Sequence, residues 1–373
     1  MTWHVFRDDP DYLAERAEGL LASAADGTPS VVAEFTRWSA PHTTEGARTV
    51  LARGHGFADW EAFVEPSAFA AAFRLVEARD VDGLAAFVDR FPGVVDVVGT
   101  GGNDLLGLAA ATCDERLVSV LLDRGAYVAH ANVHGWTALH QAGYANLPAM
   151  ARVLLDAGAP TGGDGRGAGG TPLVAALFWG HVEVARVLAE EAVVPHNLRT
   201  AAGMDDVALL TTADPNAGRG FYRPHSGFPV WRPSDSPTEA RDEALSWAAR
   251  SDAVEAITWL CERGADVDAD VYRGTALTWA ATKGRVRAVR RLLELGAGVD
   301  VRGTFGGPGH GAGTTALHHA AESGHLDVIE VLLAAGADRT IEDDLYGGTP
   351  AGWAGHNGHP EARDLLSPPA GTG

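Results

Sequence analysis

The chain has almost no lysine. Of its 29 basic residues all but Lys283 are arginine, set against 49 acidic residues for a formal net charge of −20. The arginine bias reads as the mark of a GC-rich, bacterial gene. The shortage of positive charge argues against sequence-independent binding of nucleic acid, which needs a basic surface to neutralise phosphates. It disfavours an anionic membrane surface for the same reason. Two cysteines, Cys113 and Cys261, cannot build a disulfide framework. Cys261, in the stretch WLCERGAD, stands where a leucine would be buried and reads as a small core residue. No apolar run reaches membrane-spanning length, and the opening MTWHVFRDDPDYL lacks an apolar signal core, so a cytoplasmic protein is expected. There is no G-x-S-x-G and no Walker loop, and the glycine-rich stretch 302–313 does not follow a strand.

What the chain does have is self-similarity. Four segments align: GWTALHQAGYANLPAMARVLLDAGA, GGTPLVAALFWGHVEVARVLAEE, RGTALTWAATKGRVRAVRRLLELGA and GTTALHHAAESGHLDVIEVLLAAGA. Each opens on Thr-Ala/Pro-Leu, runs through a short apolar helix, breaks at Gly or Asn, and resumes as a second helix with apolar residues at i, i+3, i+4. The threonine suits a helix cap and the Pro or Ala after it suits the first turn. Gly125, Gly158, Gly264, Gly296 and Gly336 close second helices, where a left-handed residue is wanted. Thr137 to Thr171 and Thr315 to Thr349 are both steps of 34 residues. No such unit can bury its apolar faces alone, so neighbours must stack.

This pattern resembles the ankyrin repeat, with its T-P-L-H-x-A-A-x-x-G-H opening and L-L-x-x-G-A-D close. The resemblance implies an all-α solenoid of helix pairs joined by hairpin fingers. Weaker copies extend it, with Asp104 and Glu243 expected at the threonine position of two of them. Together they give about nine repeats over residues 67–373 behind an N-terminal helical cap, residues 1–66. The cap ends in ARGHGFADWEAFVE, which is similar to a segment found ahead of bacterial ankyrin arrays.

Two fingers are enlarged, at 212–239 and 302–313. The first follows a compressed step: with His196 at the threonine position, only 25 residues separate it from Thr171 and 47 from Glu243. It contains GFYRPHSGFPVWRPSDSP, in which four prolines forbid a continuous helix. A FYRPHSGFP-type stretch is similar to one in a group of bacterial ankyrin proteins and carries no transferable activity. We expect it to be a lid over the concave face.

In the family the finger tips and the two residues before the Gly-His turn are free to vary. Here that places Trp136, Tyr144, Phe178 and Trp179 as an aromatic surface, with Arg250-Ser251, Trp279, Lys283, Glu322 and His356 along the same face and Arg223, His225 and Trp231 above it. A protein or peptide partner on that face is the first expectation. A small-molecule pocket beneath the insertion is the alternative, enzymatic if His225, His319 and Glu322 do acid–base work. No cofactor is implied. A metal site at His310, His318 and His319 has no supporting ligand spacing. His140, His318, His181, His325 and His359 belong to the repeat itself, and His130 and His134 read as solvated.

Overall fold

The computed structural model describes residues 10–54, 58–64, 68–165, 169–218, 234–271, 274–303 and 312–367. These residues form α-helices joined by turns and isolated bridges, with no β-strand among them. Two compact units emerge: residues 1–142 with 149–160, and residues 143–148 with 161–373.

The first unit begins with α1 (Pro10–Ala25), α2 (Pro29–Arg37), α3 (Thr44–Gly54) and α4 (Trp60–Val64). These bury their own core of Leu13, Ala17, Phe35, Ala47, Val50 and Phe63. Paired helices follow: α5 (Ala68–Glu77) with α6 (Val81–Arg90), and α7 (Leu105–Ala111) with α8 (Glu115–Asp123). Asp104 caps α7 as expected, its carboxylate accepting from the Gly107 amide at 2.8 Å. His130, read as solvated, is instead partly buried, because its Nε2 donates to the Gly102 carbonyl at 2.6 Å.

Then come α9 (Ala138–Tyr144) and α10 (Pro148–Asp156). Thr137 Oγ1 accepts from the His140 amide at 3.3 Å, while the Thr137 amide donates to His140 Nδ1 at 3.2 Å. Leu139 is fully buried. Leu139→Ala should therefore cost about 2–5 kcal/mol, through lost burial and an unfilled cavity. Thr137→Ala, losing mainly a cap, should cost about 0.5–2 kcal/mol. Indistinguishable thermal melts for the two variants would contradict the register.

The second unit stacks further pairs: α11 (Pro172–Phe178) and α12 (Val182–Glu191), α13 (Leu198–Gly203) and α14 (Val207–Thr212), α15 (Pro237–Arg250) and α16 (Val254–Glu262). It ends with α17 (Ala276–Thr282) and α18 (Val286–Glu294), α19 (Ala316–Glu322) and α20 (Leu326–Ala334), α21 (Pro350–His356) and α22 (Pro360–Leu366). Odd-numbered helices neighbour one another in one row and α14 through α22 in a second. Alanine and leucine dominate the faces between rows, and from α13 to α22 the helices share one apolar core. Cys261 packs half-buried against that core, and burial pushes its thiol up to about 11.

Two starts differ from the sequence expectation. Asn197, one residue beyond His196, caps α13 by accepting from the Thr200 amide at 3.0 Å. Glu243 caps nothing. α15 starts at Pro237 behind the Ser236 cap, twice the length of its counterparts α11 and α17, and Glu243 lies buried within it. The proline at its first helical position and the serine before it are the stronger start signal, and they extend the helix backwards toward the insertion.

The turn within each pair demands a left-handed residue. Gly180, Gly284, Gly324 and Gly358 supply it at φ of 65° to 79°, and Asn146, Asp205 and Asp252 at φ of 55° to 57°. The aspartates add a link that glycine lacks. Asp205 Oδ1 accepts from the Ala256 amide at 2.7 Å, and Asp252 Oδ1 from the Ala288 amide at 2.8 Å. Each thereby caps the second helix of the following pair.

Candidate functional site

The compressed step has a geometric result. α13 has six residues against seven in α11 and fourteen in α15, and α11 neighbours both α13 and α15. The C-terminal ends of α11 and α15 therefore meet directly. A Cβ on Gly180 would lie 2.4 Å from the Arg250 carbonyl oxygen, so only glycine fits there.

Where these ends converge, a cationic and aromatic cluster forms. Arg250 is wholly buried, its guanidinium 4.6 Å from the Phe178 ring centroid and 3.8 Å from that of Trp279. It donates to the Phe178 carbonyl at 2.5 Å and to the Ser246 hydroxyl at 3.2 Å. Arg285 continues the pattern, its Nε donating to the Arg250 carbonyl at 2.9 Å and its Nη2 to the Gly180 carbonyl at 2.6 Å. Both guanidiniums thus satisfy carbonyls at helix C-terminal ends, where a cation is favoured by the helix dipole. Elsewhere histidine of the Gly-His turn does this work, as His181 does to the Gly143 carbonyl at 3.2 Å and His325 to Thr282 at 3.2 Å.

Trp247 and Phe178 pack edge to face at 5.6 Å, and Arg199 lies over the Trp247 ring at 4.9 Å. Arg199 forms a buried ion pair with Glu243 at 3.0 Å and donates to the carbonyl of Gly218, where the described residues stop before the insertion.

Above this floor stand Trp179 and Tyr144, both half-exposed, packed edge to face at 5.6 Å. The Trp179 Nε1–H is buried, with no hydrogen-bond partner among the described residues. The Lys283 ammonium lies 5.6 Å from the Trp179 ring centroid. Burial, with Arg250 and Arg285 close by, lowers it from the ordinary 10.5 to about 8.

The structure thus brings together Tyr144, Phe178, Trp179, Trp279 and Lys283. Phe178 and Trp279 are 2 % and 1 % exposed, so they form floor and not surface. Arg250, expected on the variable outer face, is buried for the same reason: aromatic rings lie on both sides of it. Trp247 and Arg285 lie outside the face expected from the repeat register. The Trp247/Arg250 spacing of three on one helix was the available signal.

Other candidates lie apart. Trp136, in the first unit, stacks on His140 at 5.0 Å and donates to Gln141 at 3.3 Å. His319 is 1 % exposed, with Nδ1 donating to Glu322 at 3.2 Å and Nε2 bonded to the Thr314 hydroxyl at 2.9 Å. Buried and bonded at both nitrogens, it offers none to a bound ligand. His318 bridges Thr315 to the Gly348 carbonyl, and burial pushes it down to about 4. His356 is exposed near the end of α21. Arg223, His225, Trp231 and His310 lie outside the described residues, as does most of the expected lid. Among the described residues no three His, Cys, Asp or Glu side chains are placed to hold a metal, and no helix is long and apolar enough to cross a membrane.

Stacked pairs with threonine-capped first helices and glycine-closed second helices agree with the family comparison. An ankyrin-repeat model of three copies matches residues 106–200 and 232–303, and one of many copies matches 277–333 and 317–366. The chain is an ankyrin-repeat protein. Such repeats are generally protein–protein interaction modules. The matches break between residues 200 and 232, over α14 and the insertion, where the ankyrin spacing is also broken. The mitochondrial disaggregase of Bos taurus is 30 % identical over 193 residues, which cover 52 % of this chain and 20 % of that protein. The chain therefore matches one fifth of that relative's length.

Proposed function

We propose that this ankyrin-repeat protein recognises a protein or peptide segment on its concave face, at the surface carried by Tyr144, Trp179 and Lys283. The supporting observation is the half-exposed Tyr144–Trp179 pair on an aromatic floor held by Arg250. Large aromatic side chains fixed by packing lose little entropy on binding and are the usual anchors of an interface. On this reading the insertion, whose Arg223, His225 and Trp231 lie outside the described residues, takes part in recognition. It follows the compressed repeat at Gly218 and rejoins the array at the Ser236 cap of α15.

Peptides selected from a random library against the full chain provide the test. Tyr144→Ala and Trp179→Ala should each weaken the selected binders about 10-fold or more. Replacing residues 219–233 by a short Gly/Ser linker should reduce binding while leaving helix content and melting cooperative. Binders indifferent to both aromatic substitutions would refute the surface. A linker variant that fails to fold would make the insertion cladding for the aromatic pair.

A further inference from the structure

Lys283 is unlike the arginines packed around it. Arg250 and Arg285 are held by backbone carbonyls and Arg199 by Glu243, but Lys283 has neither an ion pair nor a hydrogen-bond partner among the described residues. Among the described residues, the charged groups that act on it are cationic. Arg250 reaches it from the end of α15 and Arg285 from the turn before α18, and His181, from the turn after α11, is pushed down to about 4 by burial, with Lys283 and Arg285 adding to it. In a chain of net charge −20, this leaves a local surplus of positive charge at a half-buried point. The Lys283 ammonium lies 5.6 Å from the Trp179 ring centroid, and the indole N–H of that ring is a buried donor without an acceptor among the described residues. Two unsatisfied donors of this kind cost stability unless something accepts from them.

We propose that Lys283 and Trp179 form a carboxylate-binding site, in which one carboxylate accepts from the Lys283 ammonium and the Trp179 indole N–H while its apolar stem packs on Tyr144. A carboxylate fits better than a phosphate. Only one cation here is uncommitted, and the acidic chain as a whole repels a multiply charged anion. The inference rests on the reading of this face as a binding surface and names the group that anchors there. In a peptide, that group is an acidic side chain next to an aromatic or aliphatic residue.

Because Lys283 is the chain's sole lysine, reductive ¹³C-methylation of the full protein places a label on one ε-amine, resolved by NMR from that of the N-terminal amine. The pH titration of that signal is followed with 3-phenylpropionate, with the neutral 3-phenylpropionamide, and with inorganic phosphate, chloride holding ionic strength constant. The carboxylate should move the midpoint up from about 8 toward 10.5, since an opposite charge favours the ammonium. The amide and phosphate should leave it in place. Lys283→Gln should weaken 3-phenylpropionate binding about 10-fold or more, read by ligand-observed NMR, whereas Lys283→Arg should retain most of it. Circular dichroism establishes that both variants fold. An unmoved midpoint with the carboxylate, or an equal rise with phosphate or the amide, overturns the proposal. The peptide reading is separable: a carboxylate-specific rise alongside library binders that ignore Asp and Glu upholds the small-carboxylate site and removes the acidic side chain as its source.

Discussion

Glu243→Ala should lower the unfolding free energy by about 3–5 kcal/mol, among the largest losses available to a single substitution in this chain. The carboxylate is 2 % exposed, and the Arg199 side chain bonded to it 3 % exposed, so its removal strands a guanidinium away from water. The geometry amplifies the loss. Arg199 joins α13 to α15 and also holds the Gly218 carbonyl, so the shortened repeat and the edge of the insertion share one ion pair. Urea denaturation followed by far-ultraviolet circular dichroism measures the effect. Glu243→Gln, which keeps an acceptor without the charge, should cost less. The paired change Arg199→Met with Glu243→Leu should recover much of the loss, because apolar side chains of similar volume often replace a buried ion pair at little cost. If Glu243→Ala were neutral, the pair would have no structural role.

Arg250→Ala should cost roughly 3–5 kcal/mol, and it should also change the site. Deletion opens a cavity between Phe178 and Trp279 and leaves the Phe178 carbonyl without its donor. Arg250→Lys should recover only part of this. An ammonium cannot lie flat between two rings while donating in two directions from one plane. The change has a second readout. Removing a cation beside Lys283 should move the Lys283 midpoint up from about 8, because a like charge disfavours the ammonium. A stability loss with no change in that midpoint would show that desolvation alone sets it.

The helix pairs were legible residue by residue. Thr171, Thr275 and Thr349 each accept from the amide three residues on, and Gly125, Gly158, Gly264, Gly296 and Gly336 have φ of 84° to 94°. Caps and left-handed closures are local devices, set by a side chain and the backbone within a turn of it, so sequence alone displays them. α15 starts ahead of Glu243, the position the repeat spacing points to, because the local Ser236-Pro237 signal is the stronger one. The site was half legible. The repeat register places Tyr144, Phe178, Trp179, Trp279 and Lys283 on one candidate face, but does not tell which of them is floor and which surface.

By itself the sequence determined an all-α repeat architecture, its caps, its acidic balance, its single lysine and the place where the spacing breaks. Only the tertiary structure decided that Arg250 lies buried between two rings, that Glu243 belongs to Arg199, and that Lys283 has no ion pair or hydrogen-bond partner among the described residues. Burial of a charged side chain depends on what faces it across an interface. Here the facing groups come from α11 and α17, distant in sequence, and meet Arg250 because the short α13 lets α15 reach α11.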